Sequence, residues 1–145
     1  MDIIVTTPKS EIANAAAEAA DCIAAGGGEY FRRFPVRASP RLLRLCERVY
    51  YVEDGYVRGF GTVKRKECID VDVLCDTTYR HWPPGTYVFM DATSWQWIRP
   101  IPMRAFQGFR YVDEASVPFD GDTVEIIGDW RDPKPEIPGT KKAEG

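Results

Sequence analysis

Trp95–Asp113 reads W-Q-W-I-R-P-I-P-M-R-A-F-Q-G-F-R-Y-V-D and sets Trp95, Trp97, Phe106, Phe109 and Tyr111 among Arg99, Arg104 and Arg110. Rings beside guanidinium groups can stack on bases and contact phosphates. The same composition also makes a half-buried strand pair, with rings inward and arginines outward. Trp95 and Trp97, two apart on an extended chain, share a face; they would stack a base together or close a core. Gln107 offers an amide to a base edge where Gly108 lets a ligand approach, and the pair equally suits a plain turn. With Arg110 these residues form one half of a candidate nucleic-acid interface.

Arg32, Arg33 and Lys64 form the other half. Arg32 and Arg33 are adjacent on an extended segment, so they point to opposite faces and one of them faces a given cleft. Its planar fork would meet phosphate or a base edge; the alternative is a surface arginine paired with Glu29 or Glu47. The chain carries a formal net charge of −3, which does not favour a generic nucleic-acid binder, but its charges are segregated. Between Arg32 and Lys66 stand Arg32, Arg33, Arg37, Arg41, Arg44, Arg48, Arg58, Lys64, Arg65 and Lys66, against Glu47, Glu53 and Asp54. Acidic residues gather at Asp113-Glu114, Asp120–Asp122, Glu125 and Asp129–Asp132. A basic face on an acidic protein is thus allowed, beside the plainer reading of a solvated surface of mixed charge.

Other reactive groups are scattered. His81, between Arg80 and Trp82, titrates near neutrality and could be a general base oriented by Asp76 or Asp91, or an ordinary loop histidine. Thr77 and Thr78 become nucleophiles only with a base beside them. Cys22, Cys46, Cys68 and Cys75 lack C-x-x-C spacing, so buried free thiols are expected rather than a zinc site or a disulfide framework. Gly26–Gly28 follow a helical pattern instead of preceding one, which excludes a P-loop or a dinucleotide fingerprint. No cofactor and no metal are expected.

The elements that would position these groups follow from periodicity. Asp2–Thr7 reads as a strand. Ser10 caps a helix over 11–25 whose apolar positions Ile12, Ala16, Ala19 and Ile23 recur at helical spacing, and the glycines end it. Glu29–Val36 is a strand stopped by Pro35. Ser39-Pro40 opens a short helix over Arg41–Glu47. Arg48–Glu53 and Tyr56–Lys64 flank Asp54-Gly55 as a hairpin, and Gly59 and Gly61 mark a bulge, a bend or a close approach. Cys68–Leu74, Thr86–Met90, Trp95–Ile98, Phe106–Val112 and Thr123–Ile127 are further strands, with Pro100 and Pro102 interrupting the ladder. The expected fold is α+β: a small bent mixed β-barrel with one main N-terminal helix and one short helix, a single domain over 1–128, and a flexible charged tail over 129–145. No run approaches membrane-spanning length and Met1–Val5 does not open a secretory signal. A soluble cytoplasmic protein is expected, with no membrane partner.

This order of parts resembles the ASCH branch of the PUA-like superfamily. The resemblance rests on helix 11–25, Gly26–Gly28, Glu29-Tyr30-Phe31-Arg32-Arg33, the R-V-Y-Y-V-E-D-G-Y-V-R-G-F-G-T-V pair, Pro84-Gly85-Thr86-Tyr87-Val88 and the Trp95–Arg110 run, over about residues 1–130. It is similar to uncharacterised phage and prophage proteins of that branch. It implies a pseudo-barrel with a cleft beside it that holds RNA or a modified nucleotide. Some small ASCH proteins are amidohydrolases of N4-acylated cytidine; the counterpart here would use Glu29 or Glu67 as base and Lys64 or Lys66 as activator. The family's G-x-K-x-x-E-x-R signature is incomplete, since Gly28 is followed by Glu29 with no lysine at the expected place. A third reading is an acidic phage-type protein that binds a host protein through its Asp/Glu-rich C-terminal part.

Overall fold

The computed structural model describes residues 1–6, 15–69, 73, 74, 81–115 and 117–136. Its elements in chain order are β1 (Ile3–Thr6), α1 (Ala15–Ala24), β2 (Glu29–Phe34), a 3₁₀ turn (Val36–Ala38), β3 (Arg48–Glu53), β4 (Tyr56–Ile69), β5 (Val73–Leu74), β6 (His81–Trp82), β7 (Gly85–Pro102), β8 (Phe109–Tyr111) and β9 (Ile126–Asp129). One mixed sheet runs in the order β2-β7-β4-β3-β1-β8, and β9 pairs β7. β7 is the spine. Along one side it pairs β4; along the other its first half pairs β2 and its second half β9. β1 pairs β3 in parallel and β8 antiparallel.

Local chemistry explains most of these elements. Gly26, at φ +86°, ends α1, and Gly27 N–H donates back to Cys22 O at 2.8 Å, the bond of a Schellman cap. Asp54 and Gly55 both take positive φ and form the expected two-residue hairpin turn. Alternation in β1 and β3 buries both faces: Ile3, Val5, Val49 and Tyr51 enter one cluster, and Ile4, Tyr50 and Val52 the other. The first cluster lies under Ala19, Cys22 and Ile23 of α1; the second lies under Ile101, Phe106, Val117, Phe119 and Val124.

Register shifts at Tyr51/Val52, Val57/Gly59, Phe60/Thr62, Val63/Arg65 and Trp97/Ile98 bend the long strands. The curl brings the β2 edge toward β1 and β8. Phe34 meets Phe109 edge-on at 5.7 Å, and Arg32 Nη1 donates to Thr6 O at 3.1 Å. Among the described residues no backbone ladder joins these edges, so the sheet stays open where a closed barrel was expected. Loop 35–47 bridges the gap instead: it leaves β2, buries Leu43 in the core, and donates from Leu42 N–H to Tyr111 Oη at 3.0 Å.

Three expectations change. The short helix over Arg41–Glu47 is absent; the helical turn falls on Val36–Ala38, and the later residues form turns. Pro40 O accepts from Leu43 N–H and from Lys66 Nζ, and Arg44 N–H, which a helix would direct to Pro40 O, goes to the Glu47 carboxylate. Thr86–Met90 and Trp95–Ile98 are parts of one strand, and Pro100 and Pro102 lie within it rather than breaking it. The segment expected as a tail from residue 129 is docked over 129–136. Trp97 Nε1 donates to Asp132 O at 3.2 Å, Lys134 Nζ meets Glu53 Oε1 at 2.5 Å, and Arg58 Nη2 donates to Pro135 O. Residues 137–145 and 7–14 lie outside the described residues.

Candidate functional site

Trp95 and Trp97 are 2% and 4% exposed and pack edge to face at 5.4 Å. Burying a ring of this size contributes about 4–6 kcal/mol as an upper bound, against about 1–3 kcal/mol for a base stack. Their place in the core is therefore a correction to their place in the interface. Gln107 is exposed in the turn before β8, and Arg110 is half-buried with its guanidinium 4.5 Å from the Phe106 ring. Arg32 points inward, held by Thr6 O and lying over Phe34. Arg33 points outward, exposed, and donates from Nε to Pro84 O at 3.0 Å. Adjacency thus separates the two arginines as alternation requires, and the Arg32–Trp95–Trp97–Arg110 cleft is not assembled.

The outer face of β2, β7 and β4 carries an aromatic cluster that the sequence pattern left unmarked. Phe31 lies 5.6 Å from Tyr87 and 5.7 Å from Phe89, and the Arg65 guanidinium covers Phe89 at 3.7 Å. The alternation Glu29-Phe31-Arg33 was the available signal. The cations of this face are largely occupied. Arg65 binds both Glu29 oxygens and Glu67, and Lys64 Nζ lies 3.7 Å from Glu29. The hydrogen bond from Arg65, helped by the charges of Arg65 and Lys64, holds the Glu29 carboxyl below its ordinary 4.5 against the opposing effect of burial. A carboxylate so stabilised is a poor proton acceptor, and Lys66 sits on the opposite face of β4 from Glu67. Glu29 and Lys64, one pairing that hydrolysis of an acylated cytidine would use, are thus side by side, but in an ion pair that Arg65 shares. Asp91 Oδ1 accepts from Thr93 N–H and Oγ1–H; the side chain of His81, with Asp76, Thr77, Thr78 and Cys75, lies outside the described residues.

Free charge sits on loop 35–47. Pro35 ends β2, and Ser39 Oγ lies 3.2 and 3.1 Å from the Pro35 and Val36 carbonyls and 2.7 Å from Thr86 Oγ1. Lys66 Nζ anchors the far side through Pro40 O at 3.2 Å and Leu43 O at 2.9 Å. Backbone bonds Cys46 N–H to Val63 O and Val63 N–H to Glu47 O fix the loop's end. So pinned, the loop presents Arg37, Arg41 and Arg44 to solvent, and none of them forms an ion pair among the described residues. Glu47, the loop's acid, turns back to accept from Arg44 N–H at 2.7 Å. Val36, Leu42 and Leu45 are each more than half exposed beside these arginines.

A cavity of about 230 Å³ opens under the loop; among the described residues it is lined by Val36, Ser39, Arg41, Lys66, Cys68, Ile69, Gly85 and Thr86, none of them a carboxylate. Arg33 borders it: a Cβ on Gly85 would stand 3.0 Å from Arg33 Nε and 2.7 Å from Phe34 O. Cys46 and Cys68 are free thiols, and both are exposed where buried thiols were expected. Among the described residues no three His, Cys, Asp or Glu side chains converge to hold a metal ion, and no helix is long and apolar enough to cross a membrane.

Most of the acidic C-terminal groups are engaged locally. Glu125 takes two bonds from Arg99, Asp129 is bound by Arg131, and Asp120 Oδ1 accepts from Asp122 and Thr123 N–H. Comparison with known protein families, with curated proteins and with solved structures finds no match for this chain.

Proposed function

We propose that this protein binds RNA, or a modified nucleotide, on the side of its curled sheet formed by loop 35–47 and the β2–β7–β4 edge. The observation that carries the reading is the contrast in charge: among the described residues Arg37, Arg41 and Arg44 form no ion pair and the cavity beside them has no carboxylate, while Arg65 and Lys64 are held by Glu29. Unpaired arginines gain most from a polyanion, because no existing ion pair has to be given up and counterions are released. Arg33 extends the positive rim, and Phe31, 36% exposed, supplies a ring near it. The open side of the sheet, bridged by a loop rather than by a strand, is compatible with a PUA-like pseudo-barrel of the ASCH kind, whose cleft holds such ligands.

Fluorescence polarisation against labelled single-stranded RNA, duplex RNA and DNA at several salt concentrations tests this. Binding is expected to weaken with salt. The triple substitution R37A/R41A/R44A should lower the salt slope by about 2 on single strands, since each phosphate that goes unneutralised takes away about 0.7. Arg32→Ala should leave the slope unchanged, since Arg32 points inward. Absence of salt-dependent binding to all three nucleic acids would overturn the RNA reading, and absence of binding to nucleoside monophosphates as well would overturn the proposal.

A further inference from the structure

We infer that the cavity under loop 35–47 is a site for a phosphate monoester, the terminal group of a nucleotide or of an RNA strand. The inference rests on the nucleotide-binding reading for what lies beyond the phosphate, but the cavity's chemistry stands separately. At about 230 Å³ it is smaller than the roughly 300–1,000 Å³ pockets of drug-sized ligands. It therefore suits one small group with the remainder of the ligand outside. Its hydroxyls are already committed. Ser39 Oγ has one proton, within reach of the Pro35 and Val36 carbonyls; given to either, it leaves Thr86 Oγ1 to donate to Ser39, and Thr86 then accepts from the Cys68 thiol at 3.7 Å. The wall thus offers its remaining donors from cations. Lys66 uses two ammonium protons on Pro40 O and Leu43 O and retains a third. Arg41 has its whole fork, and Arg33 stands at the Gly85 rim. Two to three positive groups and, among the described residues, no negative one match a dianion better than a carboxylate. Val36 and Ile69 make the apolar part of the wall, and Arg37 and Arg44 continue the positive surface outward.

Cys68 lines this cavity and reports on it, while Cys46, exposed and outside it, serves as the internal control. The rate of Cys68 alkylation by a neutral maleimide, read by peptide mass spectrometry on the full chain, would be followed with inorganic phosphate, adenosine 5′-monophosphate and adenosine. Phosphate and the monophosphate should slow Cys68 alone, about tenfold at ten times their dissociation constant, since only the unliganded fraction reacts. Adenosine should not protect. Arg41→Ala, an exposed change that leaves the loop anchors intact, should remove the protection; Lys66→Ala is avoided because it would free the loop. Equal protection by adenosine, protection of Cys46 to the same degree, or none at all would overturn the assignment. RNA with a 5′-phosphate or a 5′-hydroxyl separates the two sources: protection by the former alone places a strand end in the cavity, and protection by the monophosphate without either RNA places a free nucleotide there. The broader reading fails independently, by loss of salt-dependent polarisation while Cys68 protection persists.

Discussion

Two glycines in β4 show how tightly single residues constrain this protein. A Cβ on Gly59 would lie 2.4 Å from Gln96 O and 2.6 Å from the Trp95 ring; one on Gly61 would meet Tyr30 Oη at 2.1 Å. The first obstacle is backbone and cannot rotate away. Gly59→Ala is expected to destabilise the fold by about 1–3 kcal/mol, the usual cost of overpacking, read as a lower urea midpoint. Both positions were legible as a bulge, a bend or a close approach, and the structure has register shifts and close approach there together. What the sequence could not supply was the partner, since Trp95 arrives from a strand almost forty residues on. Arg58 is the opposite case. It is 2% exposed, its Nε and Nη1 lack partners among the described residues, and burial lowers its pKa despite the charges of Glu53 and Asp54. A buried guanidinium with orphan donors contributes little net stability. Arg58→Met should leave the urea midpoint unchanged or raise it, whereas a marked fall would show the charge to be stabilising.

At the scale of elements, two devices hold the sheet's far ends. Glu29 on β2 reaches across β7 to Arg65 and Lys64 in the β4 bulge, linking three strands. Its pKa is lower folded than unfolded, so its stabilisation is present above the ordinary 4.5 and is lost as pH falls through the folded value. The difference in urea midpoint between the parent and Glu29→Gln should accordingly be largest above pH 4.5 and shrink below it. The second device is the strap over 129–136, clasped by Lys134 on Glu53 and by Pro135 on Arg58. Lys134→Glu would set a third carboxylate beside Glu53 and Asp54, and should release the strap, seen as faster protease cleavage within 130–136. Most strands, α1 and the Asp54-Gly55 hairpin were readable from period and turn chemistry. The docked strap was not: its Pro-rich, charged composition carries no apolar period, and it is held by single polar contacts. The 41–47 helix is replaced by turns in which side chains take backbone groups: the Glu47 carboxylate accepts from Arg44 N–H, and Lys66, remote in sequence, donates to the Pro40 and Leu43 carbonyls.

Over the whole molecule, charge segregation in the sequence becomes segregation by element. The basic run yields loop 35–47 and the β2–β4 face, and the acidic run yields the turns after β8 and around β9. Half of the candidate site was thus visible as composition, but the assignment of aromatics was reversed. Trp95 and Trp97 sit in the interior, whereas Phe31 and Phe89, in less conspicuous surroundings, reach the surface. Periodicity gives which residues share a face, and only the closure of the sheet decides which face meets solvent.

The position of β1 carries a consequence for how the chain is made. Its backbone is flanked by β3, from residue 48 on, and by β8, whose last residue is Tyr111. During synthesis Ile3–Thr6 therefore leaves the ribosome with both edges unsatisfied and keeps one of them so until more than a hundred further residues have emerged. Such long-range pairing slows folding and exposes an apolar strand to neighbouring chains. Yield in a cell should then depend on translation speed and on holding chaperones more than on the stability of the finished fold.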